Sequence, residues 1–236
     1  AGHQLEIDNV LNFDQVRKLL ESQNPLAAFP EIAITHVKVA QDTLGEERWA
    51  FGPYRTIFYL IDEHGDRLRN LPSVRLGKGM ETGENDIFVL TKDKIQELAI
   101  ADEYLKCRAS NTNIYQFGVV DTGDRVLYVE DKDFDSLPIG VQHYLRQHEK
   151  TLKARAAYLR GDCEWYRFTW PLHEEHHFES KIMLPYRASN NRFVVDEDGE
   201  WLGLTNTTHV FCQNSAYSPY YLCALLNSKV LEFRYR

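Results

Sequence analysis

The order of strand-like and helical segments is the feature that most constrains the fold of this chain. Short runs of β-branched and aromatic residues, bounded by turn residues, are typical of strands. Such runs occupy residues 32–39, 56–61, 114–120, 125–129, 192–195 and 201–204. The last four runs predict two hairpins, because turn-like Asp- and Gly-containing segments separate them at 121–124 and 196–199.

Helical periodicity fills much of the sequence between these runs. The predicted helices span residues 12–24, 91–105, 141–160 and 221–236. Thr91 is a suitable N-cap, and Gly161 is a suitable stop for the third helix. Strands and helices mixed in this way predict an α+β fold with a mixed sheet, hairpins and several packed helices. Because the last helix is still running at Arg236, we expect the sequence to be a piece of a longer polypeptide.

The distribution of charge matters more than its total. The net charge of −8 counts against nucleic-acid binding, which is driven by Lys and Arg neutralising phosphates. Residues 61–136 hold 10 basic and 16 acidic side chains, whereas residues 137–195 hold 9 basic and 6 acidic side chains and 5 histidines. A basic stretch in an acidic chain fits a DNA binder with one binding face, and it also fits a solvated helix surface.

Cysteine usage and hydropathy indicate the compartment. The 4 cysteines are scattered without a C-x-x-C pair, which argues against a disulfide framework and against a cysteine-based zinc site. No apolar run approaches the roughly 20 residues that cross a bilayer. We therefore expect a soluble protein of the reducing cytoplasm, without a membrane partner.

Two clusters of polar or small residues have a functional and an ordinary interpretation. The glycine-rich segment 77–83 could cradle a phosphate, but a strand-like run follows it instead of a helix, which favours a tight turn. His173, His176 and His177 could ligate zinc, but the cluster lacks the glutamate of an H-E-x-x-H motif, which favours an exposed polar loop. No nucleophile with a matching base can be picked out.

Several runs combine polar, cationic and aromatic residues. They are residues 165–167, Trp170, 186–192 and 205–209. Arg pairs with guanine and Asn with adenine, while Ser, Thr and Lys hold phosphates, so these runs suit DNA contacts. The same composition is common in ordinary loops.

Five patterns occur in a fixed order between residues 75 and 229. The first is a "GI-x-TG-x-N-x-x-F" pattern at Gly79, Thr82, Gly83, Asn85 and Phe88, with Met80 in place of isoleucine. The second is a helix with Tyr144, Leu145, Leu152 and Arg155, and the third is a "W-Y" segment at Trp165, Tyr166, Trp170 and Pro171. The fourth is a "K-I-x-x-P" strand at Lys181–Pro185, followed by Arg192 and Phe193, and the fifth is a "Y-L-x-A-L-L-N-S" helix at Tyr221–Ser228. This series resembles the specificity region of Taq-like adenine methyltransferases and of the fused restriction-methylation enzymes related to them.

The resemblance implies that this sequence is part of a longer enzyme with separate catalytic and target-recognition domains. Residues 1–60 would be the tail of, or a linker from, a missing catalytic domain, and residues 61–236 would be the target-recognition domain. The parent enzyme would methylate adenine with S-adenosylmethionine, and the same enzyme could also cleave DNA. The catalytic domain's (Asn/Asp/Ser)-Pro-Pro-(Tyr/Phe) motif and cofactor loop do not occur in this sequence, so we expect no cofactor and no catalysis in the chain itself.

Duplex DNA and the catalytic domain of the same polypeptide are therefore the expected partners. The residues predicted to contact DNA are Arg187, Ser189, Asn190, Asn191 and Arg192, then Lys181, Arg160 and Lys153, and finally Asn111 and Asn113. A surface ion pair would be the alternative explanation for Lys181 and Arg192, and a turn would be the alternative explanation for Asn190 and Asn191. The alternative functions are a protein-interaction module that docks a partner subunit and, after it, a hydrolase.

Overall fold

The computed structural model describes residues 2–7, 34–39, 61, 63–212 and 215–235. Contacts divide the chain into two compact units, Ala1–Asp66 and Arg67–Arg236. In the first unit β1 (Gly2–Ile7) and β2 (Ile34–Val39) form an antiparallel pair, in agreement with the strand predicted at 32–39. The helix predicted at 12–24 lies outside the described residues, as does the strand predicted at 56–61 except for Ile61. The domain boundary at residue 60 stays a prediction.

The second unit contains short strands and short helices. Its strands are β3 (Arg75–Lys78), β4 (Val89–Leu90), β5 (Leu105–Ala109), β6 (Ile114–Tyr115), β7 (Gly118–Val119), β8 (Arg125–Leu127), β9 (Lys181–Pro185), β10 (Val194–Asp196), β11 (Trp201–Gly203) and β12 (Thr207–Phe211). Its α-helices are α1 (Asn85–Phe88), α2 (Lys92–Leu98), α3 (Ile139–Gln147), α4 (Glu149–Lys153), α5 (Ala156–Arg160), α6 (Glu174–His177), α7 (Pro219–Leu226) and α8 (Lys229–Tyr235).

Two four-stranded sheets organise this unit. The first sheet has the order β10-β9-β12-β3, and all of its neighbours are antiparallel. The second sheet has the order β11-β5-β8-β4, with β11 parallel to β5 and the other neighbours antiparallel. Strands β6 and β7 pair only with each other in the described part of the chain. A parallel and antiparallel mixture of strands with packed helices confirms the α+β class.

Both faces of the first sheet are covered. Ile182 and Val210 pack with Leu222 of α7 on one face. Successive residues of a strand point to opposite faces, and Met183 accordingly packs with Ile114 of the β6–β7 hairpin on the other face. The largest core lies between the second sheet and helices α1, α3 and α4. The first sheet is thus held between α7 and the hairpin, which fixes where the hairpin sits.

The helices are shorter than their periodicity predicts. Thr91 caps α2 as predicted, but Ala99 turns left-handed with φ 47° and ends it, so Leu105 begins a strand instead. The predicted helix 141–160 is broken into α3, α4 and α5, and Arg155 is extended at the second break because its guanidinium turns inward to backbone carbonyls. Among the described residues, no helix combines the length and apolarity needed to span a bilayer.

Both hairpins predicted from the sequence are wrong. Residues 114–119 fold back on themselves as β6 and β7, while β8 pairs with β4 and β5. Strand β10 pairs with β9 in the first sheet and β11 pairs with β5 in the second. The Asp196 carboxylate accepts hydrogen bonds from the backbone N–H groups of Glu200 and Trp201, so the turn is present but sends the chain into the other sheet.

Candidate nucleic-acid interface

Several strand ends and loops meet at one edge of the second unit. Strands β3, β5, β9 and β11 all end there and β12 begins there, because Lys78 is opposite Thr208, Pro185 is opposite Thr207, and Gly203 is opposite Ala109. We call this surface the loop edge and define it by residues 78–80, 110–119, 185–193 and 204–207. It brings together segments that are far apart in the sequence.

Hydrogen bonds join these segments into one unit. The Tyr186 backbone N–H lies 2.9 Å from both Asn206 O and Asn111 Oδ1. Arg192 Nη1 donates to Asn111 O and Ile114 O, each at 3.0 Å. The loop that follows β9 is therefore tied to the turns that follow β5 and β11.

The segments that build the loop edge contain no carboxylate. Residues 74–80, 105–120, 181–195 and 201–212 include Lys and Arg but neither Asp nor Glu. Lys78 and Arg187 are exposed and both lie near the half-exposed Tyr186, with Lys78 Nζ 5.7 Å and Arg187 Cζ 5.9 Å from the ring centroid. A surface of this composition attracts polyanions and holds two cations next to an aromatic ring.

Three of the predicted contact residues are available at the loop edge. Arg187 and Ser189 are exposed and Asn190 is half-buried. All three lie in the loop between β9 and β10, and their types suit base and phosphate contacts. Their contact with DNA stays a prediction.

Three other predicted contact residues are structural, so those predictions are corrected. Lys181 is 0% exposed and forms an ion pair with the buried Asp196. Burial lowers the pKa of Lys181, although the Asp196 carboxylate opposes that shift. An ammonium enclosed in this way cannot reach a phosphate.

The buried asparagines hold turns instead of facing a ligand. Asn113 is 2% exposed, and its Nδ2 donates to Arg108 O and Val120 O at 2.9 and 3.1 Å. Asn191 is 6% exposed, and its Nδ2 donates to Leu226 O at 2.7 Å. Both amides are thus occupied by the backbone of neighbouring segments.

Arg192 and Asn111 act as a brace within the loop edge. Both are half-buried, and the two hydrogen bonds of Arg192 Nη1 described above fix its guanidinium against the hairpin. Asn111 contributes both its backbone carbonyl and its side-chain Oδ1 to this network. Arg192 and Asn111 were predicted to contact DNA. The contacts that the structure shows for them instead hold the loop after β9 in position.

Lys153 and Arg160 lie on helices α4 and α5 and have local partners. Lys153 forms an ion pair with Glu149, and its Nζ lies 5.7 Å from the centroid of the Trp165 ring. Arg160 Nε and Nη2 contact Asp162 at 2.9 and 2.8 Å. Both cations thus form ion pairs with a neighbouring carboxylate, and their contact with DNA stays a prediction.

The glycine segment is packed against protein atoms. A Cβ on Gly79 would lie 2.0 Å from Leu204 O, and one on Gly83, where φ is 77°, would lie 2.1 Å from Thr169 Oγ1. Arg155 Nη1 donates to Thr82 O at 2.6 Å. The segment therefore joins β3 to the helices and leaves no cradle for a phosphate at these positions.

The histidine cluster is also partly internal. His177 is 0% exposed, and its Nε2 accepts a hydrogen bond from the Gly203 N–H at 3.2 Å. Its ring meets the His209 ring in an edge-on contact with centroids 4.6 Å apart. The exposed polar loop expected here is therefore wrong for His177. Among the described residues, no group of three or more His, Cys, Asp or Glu side chains is arranged to hold a metal ion.

Lys78, Tyr186 and Asn206 were not among the residues predicted to contact DNA, although Tyr186 and Asn206 lie in two of the polar runs that suit such contacts. Asn206 Oδ1 is buried and has no hydrogen-bond partner among the described residues. The only available signal was the polar and aromatic composition of 186–192 and 205–209, since Lys78 lies in a glycine segment more than 100 residues away.

Comparison with known proteins gives three results. No curated protein matches the sequence. Among solved structures, the fold is similar to part of the Type IIL restriction-modification enzyme MmeI, determined in complex with DNA, with 13% identity and a TM-score of 0.48. That match covers 70% of this chain and 22% of the MmeI chain, so the present chain spans about a fifth of that enzyme. A family model described as the TaqI-like C-terminal specificity domain matches residues 96–236, and the chain therefore belongs to the TaqI-like C-terminal specificity domain family.

Proposed function

We propose that this chain recognises duplex DNA through the loop edge, as the specificity module of a restriction-modification adenine methyltransferase. The observation that carries the proposal is that four segments without carboxylates converge on one surface of a chain whose net charge is −8. DNA binding depends on cations placed against phosphates, with polar side chains placed at base edges. The family to which the chain belongs supports the same function.

Two kinds of contact are expected at this surface. Arg187, Ser189 and Asn190 are placed to reach base edges, because they are exposed or half-exposed on the loop after β9. Lys78 projects from the end of β3 and is placed to hold a phosphate. Arg192 and Asn111 keep the loop in position.

Methyl transfer belongs to a different part of the parent enzyme in this proposal. A catalytic domain on the same polypeptide would bind S-adenosylmethionine and extrude the target adenine. Because the sequence lacks the (Asn/Asp/Ser)-Pro-Pro-(Tyr/Phe) motif and the cofactor loop of such a domain, we expect this chain to bind no S-adenosylmethionine. Isothermal calorimetry with the cofactor tests this, and a saturable heat of one equivalent would contradict it.

The phosphate contacts are tested by the salt dependence of DNA binding. The affinity of this chain for a 30-base-pair duplex of random sequence is measured by fluorescence anisotropy at several salt concentrations. Affinity should fall steeply with salt, and Lys78→Ala should lower the slope of log K against log salt by about one unit. Lys153→Ala removes the same charge from α4, where Lys153 is paired with Glu149, and should leave the slope unchanged. A chain that shows no salt-dependent binding would overturn the proposal.

The sequence specificity of binding is tested by selecting bound duplexes from a randomised library. Arg187→Ala should relax the selected sequence at one base pair and cost about 1–3 kcal/mol there. Arg187→Lys keeps the charge but loses the planar pair of donors, so it should also relax that position while it retains the salt slope. Identical selected sequences for all three proteins would show that Arg187 reads no base.

The second candidate function is docking of a partner protein. The outer surface of α7 favours it, because Tyr220, Tyr221 and Leu225 are exposed there and Tyr221 stacks on the exposed Tyr217. The salt titration separates the two functions, since a docking module without DNA contact would not bind the duplex.

A further inference from the structure

The β6–β7 hairpin presents an aromatic residue to solvent at its tip. Ile114 is fully buried beneath the hairpin, whereas Tyr115 and Phe117 are 49% and 64% exposed. Tyr115 is paired with Gly118, which makes Gln116 and Phe117 the two residues of the turn. Phe117 is in none of the three hydrophobic cores of the second unit.

The backbone conformation at Phe117 is unfavourable for a bulky residue. Its φ is 61°, in the left-handed region that favours glycine. The strand pairing does not require a large side chain here, because Phe117 is largely exposed. A bulky residue held in a strained backbone conformation is a reason to look for a ligand.

The hairpin tip is fixed to the loop edge. The Phe117 N–H donates to Phe193 O at 2.9 Å, and Arg192 Nη1 donates to Ile114 O at 3.0 Å. The hairpin also lies within residues 105–120, one of the segments without carboxylates. A cationic and polar loop therefore accompanies the exposed ring, and this combination is complementary to an anionic ligand with flat apolar faces.

We propose that Phe117 is a wedge that stacks on a nucleobase at an opened or kinked step of the duplex bound by the loop edge. The inference rests on the proposed function and adds a residue that shapes the DNA to those that grip or read it. An aromatic ring can stack on any base, and apolar side chains enter base steps when the duplex is unstacked. Lys78 supplies the phosphate attraction that brings the duplex to the loop edge, where Arg187 contacts a base.

The test compares two 30-base-pair duplexes of one sequence, one fully paired and one with a central abasic site opposite 2-aminopurine. Opening the abasic step costs less, so the wild-type chain should bind that duplex more tightly, by roughly fivefold or more, and should change the 2-aminopurine fluorescence. Phe117→Ala should lose the preference and the fluorescence change, while its affinity for the paired duplex and its salt slope stay within about twofold of wild type.

Three further variants keep the test decisive. Phe117→Tyr retains the ring and should retain the preference. Phe117→Gly removes the ring and fits the left-handed φ, so it should melt no lower than wild type and still lose the preference. Ile139→Ala truncates an apolar side chain that is 80% exposed on α3 and should change nothing.

The outcomes separate the two proposals. If the wild-type chain binds duplexes in a salt-dependent manner but Phe117→Ala and Phe117→Gly keep the abasic preference, the wedge is wrong and the DNA-binding proposal stands. If the wild-type chain binds neither duplex, both proposals fall.

Discussion

Two arginines five positions apart show how placement decides the role of a residue at the loop edge. Arg187 is exposed beside the Tyr186 ring, whereas Arg192 is half-buried and donates to two backbone carbonyls. Their identical chemistry made both of them candidates for contact with a base. Only Arg187 has a guanidinium that faces solvent, so its substitution should affect binding, while substitution of Arg192 should first affect the structure.

Lys181 gives the sharpest prediction for a single side chain. Lys181→Ala leaves Asp196 buried without its cation, and we expect a loss of about 3–5 kcal/mol in the free energy of unfolding. Urea denaturation followed by circular dichroism measures it. Lys153→Ala, which breaks the exposed pair with Glu149, is the matched control and should leave the unfolding midpoint almost unchanged. Unchanged stability of Lys181→Ala together with weaker DNA binding would restore Lys181 as a phosphate contact.

Pairing between elements depends on contacts that local sequence does not contain. The sequence correctly predicted the α+β class, the Thr91 cap and the stop at Gly161, because periodicity and capping are local. Both hairpins were predicted wrongly, since the partner of each strand is chosen by packing between the two sheets. The break between α4 and α5 was missed for the same reason, because the backbone carbonyls that hold the Arg155 side chain include one from the distant Thr82.

The hairpin and the loop after β9 should behave as one element because Arg192 joins them. Arg192→Ala removes its bonds to Asn111 O and Ile114 O, and we expect it to lower the free energy of unfolding by about 1–3 kcal/mol. Amide hydrogen exchange within β6 and β7 should accelerate at the same time. Arg187→Ala removes the same charge from an exposed position and should change neither. Unchanged exchange in β6 and β7 would show that the hairpin is held without the brace.

The candidate surface becomes visible only at the scale of the whole second unit. Loop 186–192 was found from its composition, but the absence of carboxylates is a property of four separated segments that the fold brings together. The charge balance of long sequence segments did not reveal this surface. Residues 61–136 are acidic overall, and yet they contribute Lys78 and the hairpin. The net charge of a sequence segment combines residues that the fold places on different surfaces. The position of Lys78 on this surface could therefore not be predicted.

The two sheets and α6 meet at a pair of buried histidines. His177 on α6 accepts a hydrogen bond from Gly203 of β11, and its ring contacts His209 of β12. Burial lowers the pKa of His177 to about 3, and the nearby Lys181 ammonium adds to that shift. Burial likewise lowers the pKa of His209 well below its usual value. Protonation of this pair is therefore unfavourable in the folded state.

The expected consequence is a loss of stability in mild acid. Between pH 3 and pH 6.5 the unfolded chain binds a proton at residue 177 that the folded chain excludes, so stability is full above pH 6.5 and falls as the pH decreases. At pH 5 the contribution of His177 amounts to about 2 kcal/mol relative to pH 7. Glu130 acts in the opposite direction, because burial raises its pKa to about 7.

The measurement is therefore a comparison of unfolding free energies for wild type and His177→Gln across this range, in which the effect of Glu130 is common to both. Gln can accept the Gly203 hydrogen bond but does not titrate, so its curve should fall less steeply toward pH 5. His143→Gln, at an exposed position on α3, should follow the wild-type curve, whereas parallel curves for wild type and His177→Gln would show that His177 is not the group that links pH to folding.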